Sequence, residues 1–163
     1  MTRKLWENTR ELHHACEEHV VGKAMSSGKP PIDWYASWLK ALLEIHTVID
    51  QHMPACVGRV DRLKADIEEC GNVGFVPKSA IEYALSLTTN EDIEGAAYVL
   101  TGAHLMGGEI MRRRLEGYPT QHLQWEDRKE SLEYLVSLRE REDLTNSAKR
   151  CFFALLSVMD DIQ

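Results

Sequence analysis

The stretch Asp33-Trp34-Tyr35-Ala36-Ser37-Trp38-Leu39-Lys40-Ala41-Leu42-Leu43-Glu44-Ile45-His46-Thr47-Val48-Ile49-Asp50-Gln51-His52-Met53-Pro54 carries a helical period from end to end. Tyr35, Trp38, Leu39, Leu42, Ile45, Ile49 and His52 recur every three or four residues, which lines them along one face of an α-helix. Asp33 is expected to cap this helix, which runs to about Met53, and Pro54 to close it. Outward in both directions the same period returns. A first helix is expected from about Thr2 to Met25, with Leu5, Thr9, Leu12, Cys16 and Val20 as its apolar face. Ser26-Ser27-Gly28-Lys29-Pro30-Pro31 ends it.

Downstream, a shorter helix is expected from Val57 to about Cys70, and Pro77 opens another carrying Ile81, Ala84, Leu85 and Leu87. The longest runs from roughly Glu91 to Glu116 and stops at Gly117-Tyr118-Pro119. Two more, about Trp125–Arg141 and Leu144–Ile162, complete the chain. No stretch alternates long enough to read as a strand. No repeat, low-complexity tract or long linker divides the sequence. The expectation is all-α, a helical bundle of about seven helices forming one domain over residues 1–163.

The 163 residues hold 26 acidic and 19 basic side chains, a formal charge of −7. That balance argues against nucleic acid as a main partner. Cys16, Cys56, Cys70 and Cys151 form no CxxC pair and are too few for a disulfide scaffold, so reduced thiols and a cytoplasmic setting are expected. Apolar runs fall far short of the ~20 residues that cross a bilayer, and no signal peptide opens the chain. Seven histidines remain to be explained.

Two segments hold candidate chemistry. In Thr9-Arg10-Glu11-Leu12-His13-His14-Ala15-Cys16-Glu17, His13 lies one turn from Thr9 and Cys16, so it is expected to point into the bundle. Glu17, four residues on, is placed to accept a hydrogen bond from one imidazole nitrogen, leaving the other basic enough to hold a metal. Arg10 adds a positive charge suited to a ligand carboxylate. A core-edge histidine with an i,i+4 salt bridge is the plainer reading. The second segment is Tyr98-Val99-Leu100-Thr101-Gly102-Ala103-His104-Leu105-Met106-Gly107-Gly108-Glu109. Each mid-helix glycine costs about 1 kcal/mol against alanine, and the double glycine favours a kink. Either a tight helix crossing or a flat ligand lying against bare backbone accounts for them.

Together these residues resemble the heme oxygenases. Thr9 to His13 with Glu17 is similar to the family's first-helix motif, with a histidine as proximal iron ligand and a glutamate orienting it. Tyr35 to His46 resembles the second-helix pattern. Ala97-Tyr98-Val99-Leu100 with Gly102, Leu105, Gly107 and Gly108 resembles the glycine-rich distal helix, and Ala148 to Leu155 the closing helix. The resemblance implies heme b as cofactor and substrate, cleaved with O2 and reducing equivalents to biliverdin, CO and ferrous iron. It implies His13 as the metal ligand, with Arg10, Glu17, Gly108 and Arg128 in the cofactor-binding set. Gly102 and Gly107 would line the distal side, with His46 and His104 holding water there.

Three positions depart from the family. Ala103 stands where many members have an aspartate, His46 where many have a distal tyrosine, and Met106 where glycine is usual. A non-catalytic heme carrier or sensor of the same fold is therefore the alternative function, and a helical interaction domain without heme a third. A di-iron bundle would need Glu-x-x-His on two helices, and Glu11 to His14 is the only such tetrad. A thiaminase-like thiol chemistry lacks a base near any cysteine. His14, His19, His52 and His122 read as solvated or partly buried structural residues. Arg112-Arg113-Arg114 reads as a solvated helix end or as a docking patch for an acidic electron donor, a ferredoxin or a reductase.

Overall fold

The computed structural model describes residues 3–163, and these are 78% helical with no strand among them. Nine α-helices follow in order: α1 (Lys4–Glu18), α2 (Val20–Ser26), α3 (Ile32–Ile49), α4 (Val60–Cys70), α5 (Lys78–Ser86), α6 (Asn90–Thr101), α7 (Gly108–Arg114), α8 (Arg128–Arg139) and α9 (Thr145–Ile162). Short 3-10 turns lie between several of them. The count exceeds seven because two expected helices are each broken once. Thr2, the expected start of the first, lies outside the described residues.

The first break is at His19, whose ψ of 144° takes the backbone out of the helix. Its Nδ1 accepts the N–H of Val21 at 3.1 Å, and its Nε2 meets Asp160 at 2.8 Å. A histidine thus does the capping that Ser or Asp usually performs. The bend carries Val20 off the expected apolar face, leaving it 46% exposed.

The second break turns the expected Glu91–Glu116 helix into α6, a π turn over Gly102–Met106, and α7. The glycines do mark a kink, as their spacing implied, and its form is a widened turn. Smaller corrections concern the ends and faces. Helix α3 begins at Ile32 with Pro31 as its cap, so Asp33 sits in the first turn, and a 3-10 turn over Asp50–His52 carries the chain to Met53. There Asp33 complements the helix dipole rather than closing a donor. Trp125 precedes α8, which starts at Arg128. On α5 the buried residues are Ala80, Tyr83 and Ala84; Ile81 and Leu85 face outward, Leu85 at 77% exposure.

The core forms around α9, which packs along α6 and α1 and also meets α5 and α3. Leu155, Val158 and Met159 of α9 join Leu39, Leu42 and Ile45 of α3 and Ala96, Ala97 and Leu100 of α6 in one apolar cluster. The α6–α9 crossing is closest at Gly95, where a Cβ would come within 2.6 Å of Ser147 Cβ. Two tyrosines tie the start of α3 to the loop after α7. Tyr35 Oη donates to the carbonyl of Pro119, and Tyr118 Oη to that of Pro30, each at 2.6 Å. Their rings stand 5.2 Å apart. This stapled loop leads directly into His122.

Candidate functional site

On α1, Leu5, Thr9, Leu12 and Cys16 form the stripe turned inward, and His13 falls at its border. His13 therefore does not point into the bundle: its side chain is 53% exposed. Its Nδ1 lies 3.1 Å from Glu17 Oε1, so the pair set by the i,i+4 spacing does form. At that separation the carboxylate is placed to steady the ring from its Nδ1 side, with Nε2 on the far side of the imidazole. The ring meets Phe152 of α9 edge to face, with centroids 6.0 Å apart. His13 and Glu17 line a shallow hollow of about 420 Å³ with Trp6, Arg10, Glu11 and His14. The guanidinium of Arg10 stands 5.8 Å from the Trp6 ring, in reach of the same hollow.

The glycine segment continues α6, which packs along α9, as α1 does. None of the three glycines is demanded by a close helix crossing. A Cβ on Gly102 would meet only Leu135 Cδ1 at 3.9 Å, and one on Gly108 would touch Leu123 at ordinary distances of 3.6 to 3.8 Å. On Gly107 it would meet the carbonyl of Ala103 within the same turn, at 3.1 Å. The tight crossing is made by Gly95 instead. Gly102 and Gly107 are backbone that other helices leave largely uncovered, with Met106 and Ile110 exposed beside them, a surface that a flat apolar group fits, whereas Gly108 is buried against Leu123. π turns of this kind gather at functional sites. Arg128 reaches the turn, its Nη1 donating to the carbonyl of Leu105 at 3.2 Å.

Beneath the turn lies a group that spacing only half disclosed. His46 and His104 come together, ring centroids 6.0 Å apart, and His122 stands 5.7 Å from His104 at a right angle. All three are buried, so the reading of His122 as solvated or partly buried is corrected. His46 Nδ1 bonds Asp50 Oδ1 at 2.7 Å, and His122 Nδ1 bonds Asp66 Oδ2 at 2.7 Å. Arg59, also buried, lays its guanidinium 3.7 Å from the centroid of the Trp125 ring and donates to the carbonyls of Gln124, His122, Cys56 and Gly58. Burial, with Arg62 nearby, lowers the Arg59 pKa to about 10. Asp50 was accessible by the arithmetic that paired His13 with Glu17, being four residues beyond His46. Asp66 lies 56 residues from His122, and no local pattern connects them.

Burial drives the pKa of His104 well below the imidazole range, with His122, His46 and Arg59 adding repulsion. Burial also lowers His122, against the pull of Asp66. Both therefore bind fewer protons in the folded than in the unfolded chain between pH 5 and 6.5. The stability they permit is complete above the unfolded value near 6.5 and falls as the pH drops below it. Each contributes a slope of at most about 1.4 kcal/mol per pH unit. Urea midpoints measured from pH 7.5 to 5 are expected to fall with this sign, and His104→Leu to flatten the curve. A flat wild-type profile would refute the assignment.

The other predicted residues are more dispersed. His14 and His52 are exposed and His19 caps α2. Arg112 and Arg113 both contact Glu109, at 2.9 and 3.3 Å, and Arg114 donates to the carbonyl of Ser26. Among the described residues no three His, Cys, Asp or Glu side chains converge as metal ligands. His13 belongs to no such cluster. No helix among the described residues is long and apolar enough to cross a membrane.

No protein-family model and no curated protein matches the sequence. Solved structures do match the fold. The heme oxygenase of Leptospira interrogans superposes with a TM-score of 0.81 at 17% identity, covering 98% of this chain and 98% of that one. Heme oxygenase-1 of the cyanobacterium Synechocystis, in complex with heme, gives 0.84 at 14% identity, covering 98% and 90%. The chain has the heme oxygenase fold.

Proposed function

We propose that this protein is a heme oxygenase, using O2 and reducing equivalents to open heme to biliverdin, CO and ferrous iron. The observation that carries the reading is the His13–Glu17 pair, an imidazole beside a carboxylate at the edge of an open hollow on α1. The shared fold and the largely uncovered backbone at Gly102 and Gly107 support it. Heme, when bound, supplies the redox-active iron and is itself the ring that is opened. The chain does the rest. Glu17 holds the tautomer and orientation of His13, which ligates the iron. Arg10, and Arg128 from the start of α8, pair with the propionates.

Gly102, Gly107 and Gly108 let the backbone lie against the porphyrin face, restricting the reaction to one edge. His46 and His104 hold water beneath that turn, so that protons are at hand where oxygen is consumed. Electrons come from a ferredoxin or reductase, for which Arg112–Arg114 is the docking patch. Four free thiols accord with a cytoplasmic protein, read as one domain over 1–163.

The test is spectroscopic. Hemin added to the protein is expected to give a shifted, saturable Soret band, and ascorbate or a reductase then to replace it by biliverdin absorbance. A Soret band that persists under reductant makes the protein a carrier or sensor, the alternative that Ala103 in place of the usual aspartate raises. A companion variant is Gly102→Ala. With only Leu135 near the new methyl, it is expected to leave the fold as stable or up to about 1 kcal/mol more stable. Hemin affinity or the yield of biliverdin should nevertheless fall. Unchanged turnover would show that bare backbone at this position has no role.

A further inference from the structure

The buried histidines are held by carboxylates that have only acceptors to offer. Asp50 Oδ1 takes His46 Nδ1, while its Oδ2 takes the backbone N–H groups of Arg59 and Val60 at 2.7 and 3.0 Å. Asp66, fully buried, takes His122 Nδ1 and the N–H of His122 on Oδ2 and the N–H of Gln121 on Oδ1. A carboxylate surrounded by donors has no proton to give, so each Nδ1 carries the hydrogen and each Nε2 keeps a lone pair. His104 stands between these two fixed rings. His46 Nε2, His104 Nδ1 and Thr101 Oγ1, the last one turn before His104, are buried polar atoms with no partner in the protein. Centroids 6.0 Å apart put a direct bond between the two rings out of reach. A buried water ordinarily makes about three hydrogen bonds, which is the number of these atoms.

We infer that Asp66 and His122 are positioning residues for His104. With the Asp50–His46 pair they hold it in one tautomer, Nδ1–H joined through a single bridging water to the Nε2 lone pair of His46. His122 braces the ring from the side at a right angle, and Asp66 locks His122. Charge on His104 is opposed by burial and by three groups around it, His122 from the stapled loop, His46 from α3 and Arg59 from the turn before α4. The bare Nε2 of His104 is then a fixed hydrogen-bond acceptor within the π turn. This use of the nitrogen rests on the heme oxygenase reading; the tautomers and the water do not.

The measurement is a long-range proton–nitrogen correlation spectrum of the heme-free protein labelled with 15N-histidine, at pH 7.5. Expected are Nδ1–H tautomers for His46, His122 and His104, and a water cross-peak to the His104 ring. Asp66→Asn and His122→Phe are expected to split His104 between two tautomers and to weaken that cross-peak. His122→Phe retains an aromatic ring of similar bulk and serves if the Asp66 variant does not fold. A single unchanged His104 tautomer in His122→Phe reduces His122 to packing and overturns the inference, as does an Nε2–H form of His46 in the wild type. Failure of hemin to bind defeats the proposed function and leaves these spectra untouched.

Discussion

Replacing His13 by alanine should abolish the His-ligated Soret spectrum and weaken hemin binding more than about 100-fold. The bound is set by comparison, because losing only a partner that orients a metal-ligating histidine typically costs 10–100-fold. Glu17→Gln supplies that comparison within the same protein. The Glu17 carboxylate lies 3.1 Å from His13 Nδ1 on an exposed helix face. Removing its charge lowers the basicity of the imidazole and frees the ring to rotate, and affinity should drop about 10–100-fold. Neither change should disturb the fold, because the His13 side chain is half exposed and an exposed i,i+4 ion pair contributes at most about 0.5 kcal/mol. Thermal midpoints should therefore stay within a few degrees while the spectra change. A His13→Ala protein with an unaltered Soret band would remove the ligand assignment and with it the central support for the proposed reaction.

The largest expected loss of stability is at Gly95→Ala. A methyl there would sit 2.6 Å from Ser147 Cβ and 2.8 Å from its backbone carbon, contacts that no rotamer relieves. Ser147 is buried, and its hydroxyl is bonded to the carbonyl of Leu144. Helices α6 and α9 must separate, loosening Ile93, Ala96 and Ala148 around the crossing. Overpacking costs about 1–3 kcal/mol where side chains can yield. Here backbone must move, so about 3 kcal/mol or more is expected, a fall of roughly 6–12 °C in Tm for a chain of this length. Calorimetry of Gly95→Ala beside Gly102→Ala gives the decisive pair. Two residues alike in sequence, both glycines in one helical run, should differ strongly in opposite senses.

That pair also shows what could be read from the chain. Helical period, breakers and the His13–Glu17 spacing are local, and they disclosed the fold class and one half of the site. The break at His19 escaped because the capping nitrogen belongs to a residue type rarely used for capping, on a ring whose other nitrogen meets Asp160, 141 residues away. The outward faces of Val20, Ile81 and Leu85 escaped because an apolar residue is free to lie on the surface. His122 escaped for the same reason as Arg59. A loop whose course depends on two tyrosine hydroxyls brings His122 to Asp66 and Trp125 to Arg59.

The π turn at Gly102–Met106 has a consequence for counting. Its hydrogen bonds run from i to i+5, so it takes up one residue more than an α-turn. Every residue beyond it is displaced by one place in the helical register. Gly107 and Gly108 therefore face one residue away from the direction that α-helical spacing from Gly102 would give them. Deleting one residue from the turn should restore an unbroken α-helix, with both glycines still facing the same way.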